Sequence, residues 1–443
     1  MIFIITFPIA IQNLISFGVS VMDTIMVGKL GDIPLAACAQ ATQPGFVYQL
    51  LIFGLSGGGA VLCSQYWGKN DLEAVRKIVG IVIRIAVVVA LLLSAAAFIF
   101  TEEIMRLYLD VSSEDGMLIL PEAVKYLKII SFSYFFFGVS MAMMTVLRSI
   151  EIVRISMLFS LISFAFNVFF NWVFIFGNLG APKMGIRGAA MATLIARVTE
   201  FLCICVYVFF KDDRLRFRLK YIFIRDALLF KDFVKYSVPV LFNELAWGLG
   251  MTVQAAIIGR ISKDFLAANA IVSQLQQLSM IVSFGVANAA MVVIGKKIGE
   301  GDKEGAKKAA SIIMIWSAIF GIISMVLIFL ARTPFVSLFN VSDQTKLMAK
   351  NLLIITSIVI LFVNVSCIGI VGVLRGAGDT RFSLYLELFT LWLLAVPLGV
   401  LSGLVFKAPV YLVYICLRID EPVKATIAYF RTKRDKTYKT LTR

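Results

Sequence analysis

Long apolar stretches follow one another almost without a break along this 443-residue chain, and they constrain its fold more than any other feature. A helix needs about 20 largely apolar residues to cross the hydrocarbon core of a bilayer. Hydrophobic residues make up 60% of the chain and charged residues only 16%, a balance that is not typical of a soluble globular protein. The pattern predicts an all-α integral membrane protein without a separate soluble domain.

The apolar stretches and the polar residues between them predict about twelve transmembrane helices. In the first half they lie near residues 2–27, 38–66, 78–100, 121–147, 155–177 and 187–210, and in the second near 236–258, 267–295, 309–331, 347–374, 382–405 and 408–430. We divide the chain into an N-lobe (1–210), a cytoplasmic linker (211–235), a C-lobe (236–430) and a basic cytoplasmic tail (431–443).

The last predicted helix differs from the others because charged residues interrupt its middle. These residues are Arg418, Asp420, Glu421 and Lys424. The sequence leaves open whether this segment crosses the membrane fully or runs partly along its surface.

The net charge of +15 comes from basic residues that concentrate in alternate loops. Lys and Arg accumulate on the cytoplasmic side of membrane proteins, so both termini are predicted to be cytoplasmic. The basic linker and tail are expected to contact anionic lipid headgroups, and no nucleic-acid partner is expected. The six cysteines form no CxxC pair and the chain has no histidine, so we expect no metal cofactor and no disulfide.

An internal repeat divides the chain into two related halves. At an offset of 231 residues, 7–77 aligns with 238–308, which pairs Pro8 with Pro239. A second pairing sets 146–156 against 373–383. Because each half holds an even number of helices, the halves are parallel repeats. They predict two pseudo-symmetric six-helix bundles around a central cleft, an architecture that favours a transporter over an enzyme.

Two carboxylates fall inside predicted spans, Asp23 in the first helix and Glu244 in the seventh. A charge in the hydrocarbon region costs at least about 2.5 to 3.5 kcal/mol, so such an acid indicates a functional site. The repeat pairs Asp23 with Gln254 and Glu244 with Asn13. Each half therefore keeps one acid at a different place, which suggests that the two halves are specialised.

Polar residues on helices 5 and 6 are predicted to lie at the same depth as Asp23. Asn167 and Asn171 are four residues apart and share one helix face. Together with Thr193 they lie roughly 7 to 9 Å below the outer surface, at 1.5 Å per residue. A carboxylate with amide and hydroxyl oxygens suits a hard cation or a proton; hydrogen bonding between helices is the alternative for the asparagines.

Two further groups near these acids are expected to have partners. Arg197 and Glu200 stand one turn apart on helix 6 and are expected to pair with each other. Trp247 lies one turn from Glu244, where an aromatic face beside an acid can hold a flat cation.

Six motifs give the chain a resemblance to a known family. They are FPIAIQNL, MDTIMVGKLGD, NVFFNWVFIFG, GIRGAAMATLIAR, VPVLFNELAW and VGVLRGAGDTRFS. In this order they resemble the multidrug and toxic compound extrusion (MATE) family, with its NorM-like and DinF-like branches, of the multidrug/oligosaccharidyl-lipid/polysaccharide flippase superfamily. The resemblance implies two six-helix lobes around a V-shaped cavity, and export of organic cations in exchange for H⁺ or Na⁺.

The resemblance also implies roles for particular residues. Asp23 matches the family's helix-1 acid, and Asn167, Asn171 and Thr193 match the polar residues of its N-lobe cation site, where the coupling ion would bind. Glu244 matches the helix-7 acid of NorM-like members. The residues expected to bind substrate or a C-lobe cation are Glu244, Trp247, Gln274 and Asn364.

The chain departs from the NorM-like pattern on helix 10, where Asn364 stands in place of an acid. This leaves the C-lobe with Glu244 and no close second carboxylate, so the sequence leaves open whether the C-lobe binds a cation.

The nearest alternative is a lipid-linked saccharide or precursor flippase of the same superfamily, which would need a markedly basic cavity. The mid-membrane charges are mostly acidic. A membrane-embedded enzyme would need a nucleophile or metal motif that the sequence lacks. We therefore expect a monomeric transporter of the bacterial inner membrane, whose partners are small organic compounds, H⁺ or Na⁺, and membrane lipids.

Overall fold

The computed structural model describes residues 2–109, 114–339 and 341–443, which are almost entirely helical and contain no β-strand. The first half holds α1 Ile2–Gly28, α2 Asp32–Ala41, α3 Gln43–Gly68, α4 Leu72–Ile99, α5 Thr101–Tyr108, α6 Glu114–Ser149, α7 Arg154–Phe176, α8 Ile186–Val206 and the short α9 Lys220–Phe223. The second half holds α10 Ala227–Ile261, α11 Lys263–Gly299, α12 Lys303–Ser337, α13 Asp343–Cys367, α14 Thr380–Glu387, α15 Val396–Val400, α16 Val410–Arg418 and α17 Asp420–Thr432.

Eleven segments in the described part of the chain are helical, long enough and apolar enough to cross a membrane. Four of them join shorter helical elements, as in Asp32–Gly68, which contains α2 and α3. The predicted all-α membrane fold is confirmed.

Many helices extend beyond the predicted spans because polar residues cap them outside the apolar stretch. Ser262 accepts a hydrogen bond from the backbone N–H of Phe265 at the start of α11, at 3.0 Å. Asp302 accepts from the backbone N–H of Gly305 at the start of α12, at 2.7 Å. Such caps satisfy N–H groups that the helix itself leaves unpaired. Hydropathy detects only the apolar part of each helix, so it underestimates the length.

The last predicted helix, 408–430, is two helices in the structure, α16 and α17. Its charged residues Arg418, Asp420, Glu421 and Lys424 are all buried. The segment therefore does not lie along a surface with its charges in water; it packs against α13 and directs the charges into the protein.

The chain divides into two compact units. The N-terminal unit comprises 11–63 and 72–237, and the C-terminal unit comprises 1–10, 64–71 and 238–443. In the N-terminal unit α7 packs along α8, and α6 packs on α4 and α8. Gly188 allows the close approach of α8 to α7, because a Cβ there would lie 2.6 Å from the backbone of Phe174. In the C-terminal unit α13 packs on α11, α12 and α17.

The predicted linker and tail are both partly ordered. Within 211–235 the helix α10 already begins at Ala227, and the side chain of Asp226 accepts a hydrogen bond from the backbone N–H of Leu229 at 3.1 Å. In the tail, the backbone N–H of Leu441 donates to the Oε1 of Gln65 at 2.8 Å. Each segment is thus fixed by a hydrogen bond within its own unit: the linker in the N-terminal unit and the tail in the C-terminal unit.

Candidate functional site

Four residues predicted from the sequence meet in the N-terminal unit and form one hydrogen-bonded chain. The Nδ2 of Asn171 donates to the Oδ1 of Asp23 at 2.5 Å and to the Oδ1 of Asn167 at 3.2 Å. The Nδ2 of Asn167 in turn donates to the Oγ1 of Thr193 at 3.3 Å. The chain links α1, α7 and α8, and both asparagines are buried. We call these four residues the Asp23 site.

The Asp23 site retains an oxygen without a hydrogen-bond partner. The Oδ1 of Asn171 is buried and accepts no hydrogen bond, although buried polar atoms are nearly always paired. A carboxylate next to an unpaired amide oxygen is a donor set that fits a proton or a hard cation such as Na⁺.

A small polar cavity adjoins the Asp23 site. Its volume is about 30 Å³, close to the share of one water molecule in the liquid. It reaches from Asn167 and Thr193 to Arg197 and Glu200. The expected pairing of the last two is confirmed, since the Nη1 of Arg197 lies 2.9 Å from the Oε2 of Glu200.

A second network in the same unit was missed by the sequence reasoning. The Nη2 of Arg148 donates to the Oε1 of Gln12 at 2.7 Å, and the Nε2 of Gln12 donates to the Oγ of Ser160 at 2.8 Å. Ser160 donates to the Oε1 of Glu200 at 3.2 Å. One signal in the sequence could have revealed this network: Arg148 lies in the repeated segment 146–156, which pairs with 373–383.

The same arginine–amide contact recurs in the C-terminal unit. The Nη2 of Arg375 donates to the Oδ1 of Asn243 at 2.5 Å. Arg375 is the repeat partner of Arg148, and Asn243 that of Gln12. Here the arginine also forms an ion pair with Glu244 of α10 at 2.5 Å. The charge of this acid, which the sequence placed in the seventh predicted span, is therefore already compensated by a buried base.

Glu244 and Trp247 line a cavity of about 240 Å³ within the C-terminal unit. The other residues around it, apart from the charged ones, are Asn243, Met251, Ser273, Gln276, Gln277, Met280, Phe284, Val363, Ser366, Cys367, Ile370 and Val371. Two residues predicted for this site are not among its lining. Gln274 is exposed on α11, and Asn364 is buried, where it accepts a hydrogen bond from Ser283.

The expectation that no other carboxylate lies close to Glu244 is wrong. Glu387 and Glu421 line the same cavity, together with Arg418 and Lys424. The ammonium of Lys424 lies 3.2 Å from Glu387 and 3.0 Å from Glu421. The sequence did show Arg418, Glu421 and Lys424 in the last apolar stretch, but it could not show that acids and bases pair inside the protein, which lowers the cost of burying them. In the described part of the chain, no group of three or more His, Cys, Asp or Glu side chains is arranged to hold a metal ion.

Comparison with known proteins gives the family. The MatE family model matches residues 8–173 and 239–401, and the two matches start at the same offset as the internal repeat. The relatives include "Uncharacterized transporter YisQ" of Bacillus subtilis, 22% identical with 97% of this chain and 93% of its own length covered. "Probable multidrug resistance protein NorM" of Brucella suis is 29% identical, with 90% of this chain and 85% of its own length covered.

Solved structures agree in fold. An outward-facing multidrug resistance MATE family transporter of the MOP superfamily superposes with a TM-score of 0.89 at 18% identity, covering 98% of this chain and 94% of that one. A MOP superfamily transporter from Pyrococcus furiosus gives 0.88 at 18% identity, with the same coverage. The matched model covers most of the chain in both halves, so this protein belongs to the MatE family and is an integral membrane transporter, not an enzyme.

Proposed function

We propose that this protein exports drug-like organic cations across the bacterial inner membrane in exchange for H⁺ or Na⁺, by alternating access. The observation that carries the proposal is the hydrogen-bonded chain from Asp23 through Asn171 and Asn167 to Thr193. The relatives named as probable multidrug resistance proteins support the substrate class. We further propose that the protein acts as a monomer with both termini in the cytoplasm.

In this proposal the Asp23 site binds the coupling ion. Asp23 belongs to α1, whereas its hydrogen-bond donor Asn171 belongs to α7. A proton or Na⁺ on the carboxylate changes the charge at the contact between these two helices. Ion binding would therefore favour one arrangement of α1 over another, which is the differential interaction that coupling requires.

The cavity of the C-terminal unit would take part in substrate binding. Trp247, Met280 and Phe284 give it an apolar and aromatic wall, and Glu244 offers an acid. Its volume of about 240 Å³ lies just below the range of drug-sized sites. Because Arg375 already pairs with Glu244, a cationic substrate would have to compete with that guanidinium. We assign no substrate contact to Gln274 or Asn364, which lie outside the cavity.

A lipid-linked saccharide flippase is less well supported. Such a transporter would need a markedly basic cavity, whereas the charged residues that line this one are equally divided. They are Glu244, Glu387 and Glu421 against Arg375, Arg418 and Lys424.

The proposal is tested with purified protein in proteoliposomes, using tetraphenylphosphonium as the transported cation under separate H⁺ and Na⁺ gradients. Asp23→Asn should abolish exchange under both gradients. The neutral amide lacks the negative charge that attracts Na⁺, and it does not take up a proton near neutral pH. The matched control is Asp32→Asn, which neutralises an exposed acid at the start of α2 and should leave exchange unchanged. Exchange by Asp23→Asn at the level of the unmodified protein would refute the proposed role of Asp23.

A further inference from the structure

The C-terminal unit contains a buried cluster of one ammonium and three carboxylates, which we call the Lys424 cluster. The Nζ of Lys424 lies 2.9 Å from Asp420, 3.0 Å from Glu421 and 3.2 Å from Glu387. All four side chains are buried, with at most 9% of any residue exposed. An ammonium has three donors, so Lys424 uses its entire capacity within the cluster.

The carboxylates have few other donors. Ser366 donates to the Oε2 of Glu421 at 2.6 Å. The Oδ1 of Asp420 is buried and accepts no hydrogen bond. A buried carboxylate oxygen without a donor is costly when the group is ionised, and this one points to a ligand that the protein itself does not supply.

A second base, Arg418, is buried at the same cavity. Its guanidinium contacts the sulfur of Met251 at 3.9 Å and lies 5.5 Å from the ring centre of Tyr414. The remaining charged or titratable groups that line the cavity are Glu244 on α10, Cys367 at the end of α13 and Arg375, which follows α13. Glu244 and Arg375 neutralise each other.

The charges of this region do not balance when every group is ionised. Glu387, Asp420 and Glu421 bring three negative charges, whereas Lys424 and Arg418 bring two positive ones. An uncompensated buried charge costs several kcal/mol, and carboxylates that crowd one site avoid this cost by sharing a proton. A metal ion would have to compete with the lysine ammonium for the same oxygens.

We propose that the Lys424 cluster holds one exchangeable proton, shared by its three carboxylates, as a proton-binding site separate from the Asp23 site. Glu387 and Glu421 line the cavity, which provides the route for exchange. A hydronium ion that enters the cavity gives its proton to one carboxylate and leaves as water. The proton then neutralises the one negative charge that Lys424 and Arg418 leave uncompensated.

The charge count predicts the outcome of a short series of variants. Glu387→Gln removes the excess negative charge, so this variant should hold no proton at neutral pH. Adding Lys424→Met to Glu387→Gln removes one base and recreates the excess, so the double variant should regain the proton. If Glu387→Gln does not fold, Glu421→Gln gives the same count.

The proton is observed by infrared spectroscopy on the full-length protein in an ester-free detergent, through the C=O stretching band of protonated carboxylic acids at neutral pH. All variants carry Asp23→Asn, which silences the Asp23 site. The band should be present in this parent, lost in Glu387→Gln and restored in the double variant. Asp379→Asn is the control, since Asp379 already pairs with Arg431 at 2.8 Å and Lys439 at 2.5 Å and its loss should not alter the band.

Absence of the band from the parent at neutral pH, where exposed carboxylates are ionised, would overturn the proposal. A band that persists unchanged in Glu387→Gln, or that stays lost in the double variant, would overturn it as well. The measurement needs no substrate, so its outcome is independent of whether the protein exports organic cations.

Discussion

The two units treat their buried acids differently. In the N-terminal unit Asp23 is held by the neutral amide of Asn171, whereas in the C-terminal unit Glu244 is held by the guanidinium of Arg375. A neutral donor orients a carboxylate without cancelling its charge, so the acid remains free to bind a cation. A buried base cancels the charge and fixes the acid as part of the structure. The difference favours the N-terminal unit as the ion-coupling half.

The largest expected effect is on stability in the C-terminal unit. Arg375→Met leaves Glu244 buried and unpaired, and should lower the free energy of unfolding by about 3 to 5 kcal/mol. Denaturant unfolding in detergent measures it. Adding Glu244→Gln should recover most of the loss, because no charge is then left alone. If the single variant is as stable as the unmodified protein, Glu244 is not compensated by Arg375 and the comparison fails.

The next effect is on ion coupling in the N-terminal unit. Asn171→Ala removes a hydrogen bond to a charged group, worth about 1.5 to 3 kcal/mol, so the ion concentration for half-maximal exchange should shift by roughly 10- to 100-fold. With Na⁺ the requirement should rise, since an oxygen ligand is lost; with H⁺ it should fall, since the carboxylate loses a stabilising donor. Transport assays over a series of ion concentrations measure the shift.

The control for this variant is Asn178→Ala, which removes a half-buried asparagine whose amide donates to the backbone carbonyl of Trp172 at 2.8 Å. Equal ion requirements in both variants would show that Asn171 has no part in coupling.

A smaller effect is expected for the aromatic wall of the C-terminal cavity. A cation–π contact is worth about 0.5 to 2 kcal/mol, so Trp247→Ala should weaken the binding of tetraphenylphosphonium by roughly 2- to 30-fold. Equilibrium binding to the purified protein checks this. Trp172→Ala replaces an exposed tryptophan of α7 and should not change the affinity; a similar loss in both variants would argue against a specific contact at Trp247.

The smallest effect is expected for Asp226, a carboxylate outside the membrane spans. Its contribution to stability serves as a reference for those of the buried acids. The backbone N–H of Leu229, and then Lys77, hold the pKa of Asp226 below its ordinary value. Its stabilising contribution is therefore present at neutral pH and lost as the pH falls through this lowered pKa. Asp226→Ala should cost about 1 kcal/mol at neutral pH and less in strong acid, where the neutral carboxyl group accepts a weaker hydrogen bond. A cost that does not depend on pH would mean that the carboxylate charge contributes nothing.

The grouping of the four residues of the Asp23 site could be predicted from the sequence because their positions follow local rules. Asn167 and Asn171 share a helix face by their spacing, and their depth in the membrane follows from counting residues along a helix. Depth is counted from the outer end of each span in the same way, so Asp23 and Thr193 could be placed at the same level without any knowledge of how the helices pack. The hydrogen bonds between them then required only that α1, α7 and α8 be neighbours.

The cavity of the C-terminal unit was predicted poorly because its residues depend on packing. Gln274 and Glu244 both lie on helices of this unit, but the rotation of α11 leaves Gln274 exposed. The charges of the last helix left open whether it crosses the membrane fully, since hydropathy counts each charge singly. Only the fold brings Glu387 of α14 to Lys424 of α17, and a pattern along one chain cannot show that contact.

The most direct test compares Asp23→Asn with Glu244→Gln in the same proteoliposomes, measuring tetraphenylphosphonium transport driven by an imposed ion gradient. If the units are specialised as proposed, Asp23→Asn removes all ion-driven transport, whereas Glu244→Gln keeps the dependence on the ion and changes only the apparent substrate affinity. The reverse result, with ion-driven transport retained in Asp23→Asn and lost in Glu244→Gln, would contradict the assignment of coupling to the N-terminal unit.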